Sequence, residues 1–371
     1  MPALAATRPR RALAVGLIGP GRVGSALLAQ LLAAQPRLLR ESALELSLRG
    51  VAASRRMWLD CDDPELNHPG RDRHGERAQI WRPGNLDEFA AHVRGGQGGH
   101  ALLIDCSASD AVAARYAGWL AAGLHVVTPN KLAGSGALGR WQAIRAACAA
   151  GTRFRYEATV CAGLPVVQTL RDLLDTGDEL HAVHGMFSGT LAWLCHRFDG
   201  AQPFSALVRE AHALGYTEPD PRDDLSGIDV ARKLVILARE AGWPLSLEEV
   251  ALHSLVPPAL AALPLEQFMA RLPELDAAMT EQLRRARAHD GVLRHVASLD
   301  RDGRASVRLQ VLPRSHAFAH TRLTDNIVQF STRRYCDNPL SVQGPGAGPE
   351  VTAAGVFTDL LRIADSLEAR A

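Results

Sequence analysis

The stretch RALAVGLIGPGRVGSALLAQLLAA, which begins at Arg11, restricts the fold of this chain more than any other. It reads as a buried strand, a glycine turn and an amphipathic helix. Gly19, Gly21 and Gly24 supply a G-x-G-x-x-G spacing. The first glycine permits a tight turn, the second lets backbone approach a pyrophosphate, and the third lets the helix pack closely on the strand. The helix then turns its positive N-terminal end toward the phosphates. Alone the spacing is common. Between a strand and a helix at the head of a domain it specifies a doubly wound α/β unit of Rossmann type that binds a dinucleotide. Arg22 and Val23, inside the same turn, join the three glycines as candidate cofactor contacts.

A second strand, LELSLRGVAAS, follows. At its end an NAD site usually carries an acid for the ribose 2′-hydroxyl. Here the chain reads Ser54-Arg55-Arg56. A hydroxyl and two guanidinium groups suit a 2′-phosphate, so NADP(H) is expected over NAD(H), which stays possible. From 57 to 98 no motif emerges beyond a helix near NLDEFAAHV. Then HALLIDCSAS reads as a buried strand with a small-residue exit, AVAARYAGWLAAG as a helix and LHVVTPNK as a further strand. Ligands of doubly wound sheets bind beyond the carboxyl ends of the strands. Ser107 and Lys131 stand at such ends.

Lys131 gains weight from composition. Of 41 Lys plus Arg only two are lysine, Lys131 and Lys233. Arginine keeps its proton in a protein, whereas lysine can exchange one and fits smaller pockets. In a chain this biased toward arginine the two lysines are either leftovers of the bias or kept where an ion pair alone does not suffice. The formal net charge of +1 gives no reason to expect a nucleic-acid or membrane surface. The six cysteines show no CxxC spacing, which suits reduced thiols in a cytoplasmic protein. The arginines just before LAVGLI do not form an export signal, because glycines break the apolar run at once. No apolar run is long enough to span a bilayer.

Beyond about residue 156 the pattern changes. YEATVCAGLP precedes an amphipathic helix and the strand HAVHGMFS. RHVASLDRDGRASVRLQVL reads as a hairpin turning at Asp302-Gly303, and NIVQFSTRRY as another strand. Hairpin-linked strands beside long helices indicate an α+β domain. GPGAGPEVTAAGVFTDLLRIADSLEA gives a glycine turn and a helix that could rejoin the nucleotide domain. The expected division is 1–156 with 338–371, and 157–337. Between these elements ALGYTEPDPRDDLSGIDVARKLVILARE carries Glu218, Asp220, Asp223 and Asp224 in a loop, then Asp229 and Lys233 four apart on one helix face. Exposed, such a pair contributes a few tenths of a kcal/mol. Yet LVILA after it marks a buried helix, where an ion pair is costly and a lysine beside carboxylates can move a proton.

These motifs, GPGRVG, VVTPNK, YEATVCAGLP, FSGTL, GYTEPDPRDDLSGIDVARKL and GAGPEVTAAGVFTDLLR, resemble those of the homoserine dehydrogenases, in order from about residue 13 to 365. The wording is most similar to the dehydrogenase half of fused aspartokinase–homoserine dehydrogenases. The resemblance implies reversible NAD(P)H-dependent reduction of L-aspartate 4-semialdehyde to L-homoserine, on the route to threonine and methionine. It implies Lys233 and Asp229 as the catalytic pair. Glu218 and Asp224 would hold the substrate ammonium, with Gly189, Thr190 and Tyr216 lining the same pocket. Lys131 would stand beside nicotinamide and substrate, and Gly348 in the last glycine turn would touch the cofactor. A monovalent cation, typically sodium, would be held by Glu157 and the carbonyls of Val160, Ala162 and Leu164. Cys161 departs from the glycine or alanine usual in that loop. The resemblance also implies a homodimer formed through strands of the second, dimerisation region. Two other readings compete: a thioester-forming semialdehyde dehydrogenase using Cys161, and a non-catalytic NADP-binding sensor or partner subunit.

Overall fold

The computed structural model describes residues 11–60, 81–96 and 99–367. The arginines before Arg11 and Cys61 lie outside these residues. The chain divides into two compact units, Met1–Gly163 with Gly348–Ala371, and Leu164–Ala347.

The first unit holds a seven-stranded sheet of β1 (Arg11–Ile18), β2 (Leu44–Ala52), β3 (Arg56–Leu59), β4 (Arg82–Pro83), β5 (His100–Asp105), β6 (Leu124–Val127) and β7 (Phe154–Arg155). Their order is β4-β3-β2-β1-β5-β6-β7. β2, β1, β5, β6 and β7 run parallel, the doubly wound arrangement. Near-continuous apolar runs such as ALAVGLI and ALLI form these strands because helices cover both faces of a parallel sheet. The glycine turn leads into the helix Arg22–Ser42. Its buried Leu27, Leu31 and Leu38 share a core with Ala353, Val356, Leu360 and Ile363 of the helix Pro349–Ser366.

Two details differ from the sequence reading. β3 and β4 form an antiparallel edge in the stretch that had yielded one helix only. They are too short for a period-2 pattern to register. The expected helix there is Leu86–Arg94, capped by Asn85. The helix expected over AVAARYAGWLAAG is two short ones, Asp110–Ala113 and Tyr116–Ala121.

The second unit holds a six-stranded sheet of β8 (Leu180–Met186), β9 (Ala251–Leu252), β10 (Gly291–Asp300), β11 (Ala305–Pro313), β12 (Asp325–Thr332) and β13 (Leu340–Pro345), ordered β13-β12-β8-β10-β11-β9. All pairs are antiparallel except β9 with β11. The helices Gly189–Arg197, Ile228–Glu240 and Asp276–Ala288 pack against β10. β13 pairs with β12, which keeps residues up to Ala347 in this unit, and the loop after Glu157 stays with the first up to Gly163. Among the described residues no helix is long and apolar enough to cross a membrane, and the five cysteines are free thiols.

Two buried histidines make stability depend on pH. Burial pushes His125 down to about 4, helped by the nearby charges of His100 and Arg153, and burial alone pushes His295 to about 4. Both rings are therefore neutral in the folded chain at neutral pH, while the unfolded chain takes up their protons near 6.5. Stability from this source is complete above about pH 6.5 and is lost as pH falls toward 4, by up to about 1.4 kcal/mol per pH unit for each histidine. Urea unfolding at pH 7.5 and 5 should show this loss. His125→Asn, which can still accept the Arg153 amide that now bonds Nδ1 at 3.0 Å, should flatten the dependence.

Candidate active site

In the first unit, register alone collects the candidate cofactor residues. Ile18, the last residue of β1, stands beside Ala52 of β2 and Asp105 of β5. The turns that leave these strands therefore open at one edge of the sheet, with β1 at the point where the chain winds both ways. Gly19 has φ +82, and a Cβ there would meet the Ser107 amide nitrogen at 2.7 Å. A Cβ on Gly24 would lie 2.3 Å from the Gly19 carbonyl oxygen, whereas one on Gly21 meets nothing within 4 Å. The turn is thus packed on the protein side and open at Gly21, which also begins the helix Arg22–Ser42 without a side-chain cap. Arg22 is exposed and Val23 half-buried there. This is the form a phosphate-binding turn takes.

Ser54 and Arg55 lie in the tight turn between β2 and β3, Arg56 opens β3, and all three are exposed. The Arg55 carbonyl accepts from Gly84, and the Arg56 guanidinium lies 4.6 Å over the Trp81 ring. Both basic side chains therefore belong to one anchored hairpin at the adenosine end expected of such a site.

Sequence reasoning missed the group that ties the other two turns together. Asp105 ends β5 fully buried; it accepts from Ser107 N at 2.8 Å, Asn130 Nδ2 at 3.1 Å and the Tyr116 hydroxyl. The Thr128 hydroxyl donates to the Asp105 carbonyl at 2.7 Å and accepts from Asn130 N at 2.8 Å. Burial pushes the Asp105 carboxyl up, against the hydrogen bonds of Ser107, Tyr116 and Asn130. The network sets the direction of the chain at Ser107 and just ahead of Lys131. The available signal was an acid closing an otherwise apolar strand, HALLID.

Glu157, Val160 and Ala162 belong to the first unit, and Leu164 begins the second. Glu157 is 2% exposed, and Arg362 donates to its Oε2 at 3.2 Å. Cys161 and Ala162 both have left-handed backbone, φ 59 and 54, a strained pair for residues other than glycine. Cys161 itself is buried at 1% exposure. Gly348, φ 115, begins the helix Pro349–Ser366 in a conformation reserved for glycine.

In the second unit the charges converge. Gly227, left-handed at φ 73, starts the helix Ile228–Glu240, which places Asp229 in its first turn and Lys233 one turn later. Lys233 Nζ lies 2.8 Å from Asp229 Oδ2 and donates to the Phe187 carbonyl at 2.7 Å. Lys233 is 8% exposed, while the Asp229 side chain is 44% exposed. A buried ammonium thus meets solvent through its own carboxylate partner. The positive end of the helix favours the Asp229 charge.

Asp224 lies close by. Burial pushes its carboxyl up, and the charges of Glu218 and Asp229 push the same way, against the Glu218 amide, which donates at 2.8 Å, and Thr190. The Thr190 hydroxyl donates to the Tyr216 carbonyl at 2.6 Å, and the Tyr216 ring packs edge-on against Trp193, 5.6 Å between centroids. Ser188 caps the helix Gly189–Arg197, so Gly189 and Thr190 enter its first turn. Glu218, Asp224, Thr190, Tyr216 and Gly189 are therefore neighbours, and the charge of Asp229, the partner of Lys233, also acts on Asp224. Asp220 is diverted from this cluster: it caps the helix Pro221–Leu225 and pairs with Arg222. Such a cluster can hold a cationic substrate group and exchange a proton beside it.

Residues 165–361 match the family model of homoserine dehydrogenase, and 19–157 match that of the homoserine dehydrogenase NAD binding domain. The chain belongs to the homoserine dehydrogenase family. A homoserine dehydrogenase of Emericella nidulans is 41% identical over 95% of this chain and 98% of its own length. The bifunctional aspartokinase/homoserine dehydrogenase 1, chloroplastic, of Zea mays is 45% identical over 96% of this chain, which spans 39% of that protein. This chain spans about two fifths of the length of such bifunctional relatives. A hyperthermophilic archaeal homoserine dehydrogenase solved in complex with NADPH aligns with a TM-score of 0.71 at 20% identity, over 96% of this chain and 99% of that one, which carries the fold alone. Members of the homoserine dehydrogenase family are oxidoreductases, and the matched NAD binding domain is the glycine-turn unit described above.

Proposed function

We propose that this chain interconverts L-aspartate 4-semialdehyde and L-homoserine, with NADP(H) preferred and NAD(H) accepted. The observation that carries the reading is Lys233, a buried ammonium bound to Asp229 at 2.8 Å. A bound nicotinamide supplies the hydride chemistry. Lys233 gives a proton to the aldehyde oxygen in reduction and takes it from the alcohol in oxidation. Asp229, half in solvent, orients the substrate or a bridging water and links Lys233 to bulk protons. Glu218 and Asp224 hold the amino-acid ammonium, beside Gly189, Thr190 and Tyr216. Lys131, the other lysine, stands at the exit of β6 on the cofactor edge and serves the nicotinamide end. Arginine would fill neither position, because it neither releases its proton nor fits as a point charge. The burial of Cys161 in a strained loop weighs against a thioester mechanism.

The glycine turn, open at Gly21, fits a pyrophosphate, and Arg55 and Arg56 fit a 2′-phosphate. Charged hydrogen bonds of this kind contribute about 1.5–3 kcal/mol each. Replacing both arginines by alanine should therefore lower kcat/KM with NADP⁺ relative to NAD⁺ about a hundredfold or more, while turnover with NAD⁺ persists. Parallel assays with L-homoserine and each cofactor test the whole reading: absence of homoserine-dependent reduction of either cofactor, in protein that binds NADPH, would leave the sensor reading instead.

The cation reading rests on donor chemistry. Glu157 with the carbonyls of Val160, Ala162 and Leu164 is an oxygen-only set of one formal charge, suited to sodium. Arg362 already donates to Glu157, so a cation there would share that carboxylate and act structurally. The homodimer reading rests on the second sheet. On one face of it Gln329, His184, Ser298 and Ser306 are cross-strand neighbours in a groove of about 920 Å³. A second copy of the chain is the proposed cover.

A further inference from the structure

Two side chains, not one, meet on the Phe187 carbonyl. Lys233 Nζ donates to it at 2.7 Å and Asn326 Nδ2 at 3.2 Å. The sequence reading gives Asn326 no role beyond opening the strand NIVQFSTRRY. It belongs to β12, which pairs with β8 so that Ile327 faces Met186, and this register brings Asn326 opposite Phe187. Phe187 lies in the short link between β8 and the helix Gly189–Arg197, where no strand pairing fixes its carbonyl. Asn326 is 1% exposed, and its Oδ1 has no hydrogen-bond partner among the described residues. The amide cannot be turned the other way, because Oδ1 would then oppose the carbonyl oxygen. The last glycine turn closes over it: a Cβ on Gly346 would come within 2.2 Å of Nδ2. Simple packing in such a place is served better by leucine or methionine, which leave no buried acceptor unsatisfied.

We propose that Asn326 is a positioning residue for the catalytic lysine. It holds the Phe187 carbonyl in the direction that the Lys233 ammonium follows, while Asp229 fixes the ammonium from its own helix. Asn326 itself touches no reacting atom. The proposal rests on the reading of Lys233 as the proton donor and acceptor, and it predicts that the geometry and proton affinity of this lysine respond to residue 326.

The low lysine content makes the test direct. In full-length protein labelled with [ε-¹³C]lysine, two Cε resonances are expected, assigned with Lys131→Arg. Asn326→Asp places a carboxylate next to the ammonium, which favours the charged form. The Lys233 resonance should then titrate at least half a pH unit higher than in the wild type, and the limb of kcat for homoserine oxidation that requires neutral lysine should move to higher pH with it. Asn326→Leu, close in shape but without the donor, should lower kcat at least tenfold with the homoserine KM within threefold. Unchanged lysine titration in Asn326→Asp, or kcat within threefold in Asn326→Leu, would overturn the proposal and leave Asn326 a packing residue. If Asn326→Leu fails to fold, Asn326→Ala, which removes the donor without adding charge, decides by the same limits on kcat and KM. If the wild type does not oxidise homoserine, the functional reading fails, yet the titration still reports whether residue 326 controls Lys233.

Discussion

Lys233→Met should turn over L-homoserine about a thousandfold or more slowly than the wild type, in protein that folds and binds NADPH normally. The size follows from general acid–base catalysis, which contributes about 10²–10⁴ when the positioned group is removed. Folding should survive because methionine fills the volume of the aliphatic stem, and the partner left behind, Asp229, is 44% exposed and can be solvated. Breaking an ion pair is severe when the remaining charge is buried, which is not the case here. Lys233→Arg separates charge from proton transfer: it keeps a cation beside Asp229 but cannot release its proton, so it should be nearly as inactive. Steady-state assays with a fluorescence titration of NADPH give both numbers. Full activity in either variant would remove Lys233 from the chemistry.

Gly24→Ala should abolish cofactor binding and lower stability by about 1–3 kcal/mol or more, the range for forcing an extra methyl into packed protein. The new Cβ would sit 2.3 Å from the Gly19 carbonyl oxygen, and backbone cannot swing aside as a flexible side chain can. Either the helix Arg22–Ser42 retreats from β1 or the Gly19 turn opens, and both spoil the phosphate-binding edge. Gly21→Ala is the informative companion. Nothing lies within 4 Å of its added methyl, so it should cost little stability yet weaken NADPH binding by occupying the cofactor's own space. Thermal midpoints and NADPH titrations for the two variants should therefore diverge. Equal loss of stability in both would mean that the opening at Gly21 is not where the cofactor lies.

The parts of this fold legible in the sequence are those with a local cause. The turn of Gly19, Gly21 and Gly24 announces itself because each glycine answers a steric demand within a few residues. Asp229 and Lys233 announce themselves by helical spacing next to an apolar run. The strands β3 and β4 did not, since two to four residues leave no period to read. Nor did the helix break at Ala114 and Arg115, where no proline or glycine marks the interruption. The Asp105 network and Asn326 were hidden for a different reason. Asp105 meets Tyr116, Thr128 and Asn130 only after β5 and β6 pair, and Asn326 meets Phe187 only through the register of β12 on β8. Contacts of that kind are set by strand pairing over long separations, and the one local trace of them is the acid that closes HALLID. The acids were legible as a group but not in their separate duties: Asp220, spaced like the others, is spent on a helix cap and Arg222.

The interrupted course of the first unit bears on how the molecule is made. The chain leaves that unit at Gly163 and rejoins it at Gly348. Domains assemble in the order in which they leave the ribosome, at about 5–20 residues per second. For the whole time that 164–347 is being synthesised, the apolar stripe of Leu27, Leu31 and Leu38 waits for the helix Pro349–Ser366 that covers it. The inserted unit can therefore be complete before the unit that precedes it in the sequence. A nascent chain halted just before Gly348 would display a finished second sheet together with an uncovered, chaperone-attracting first one.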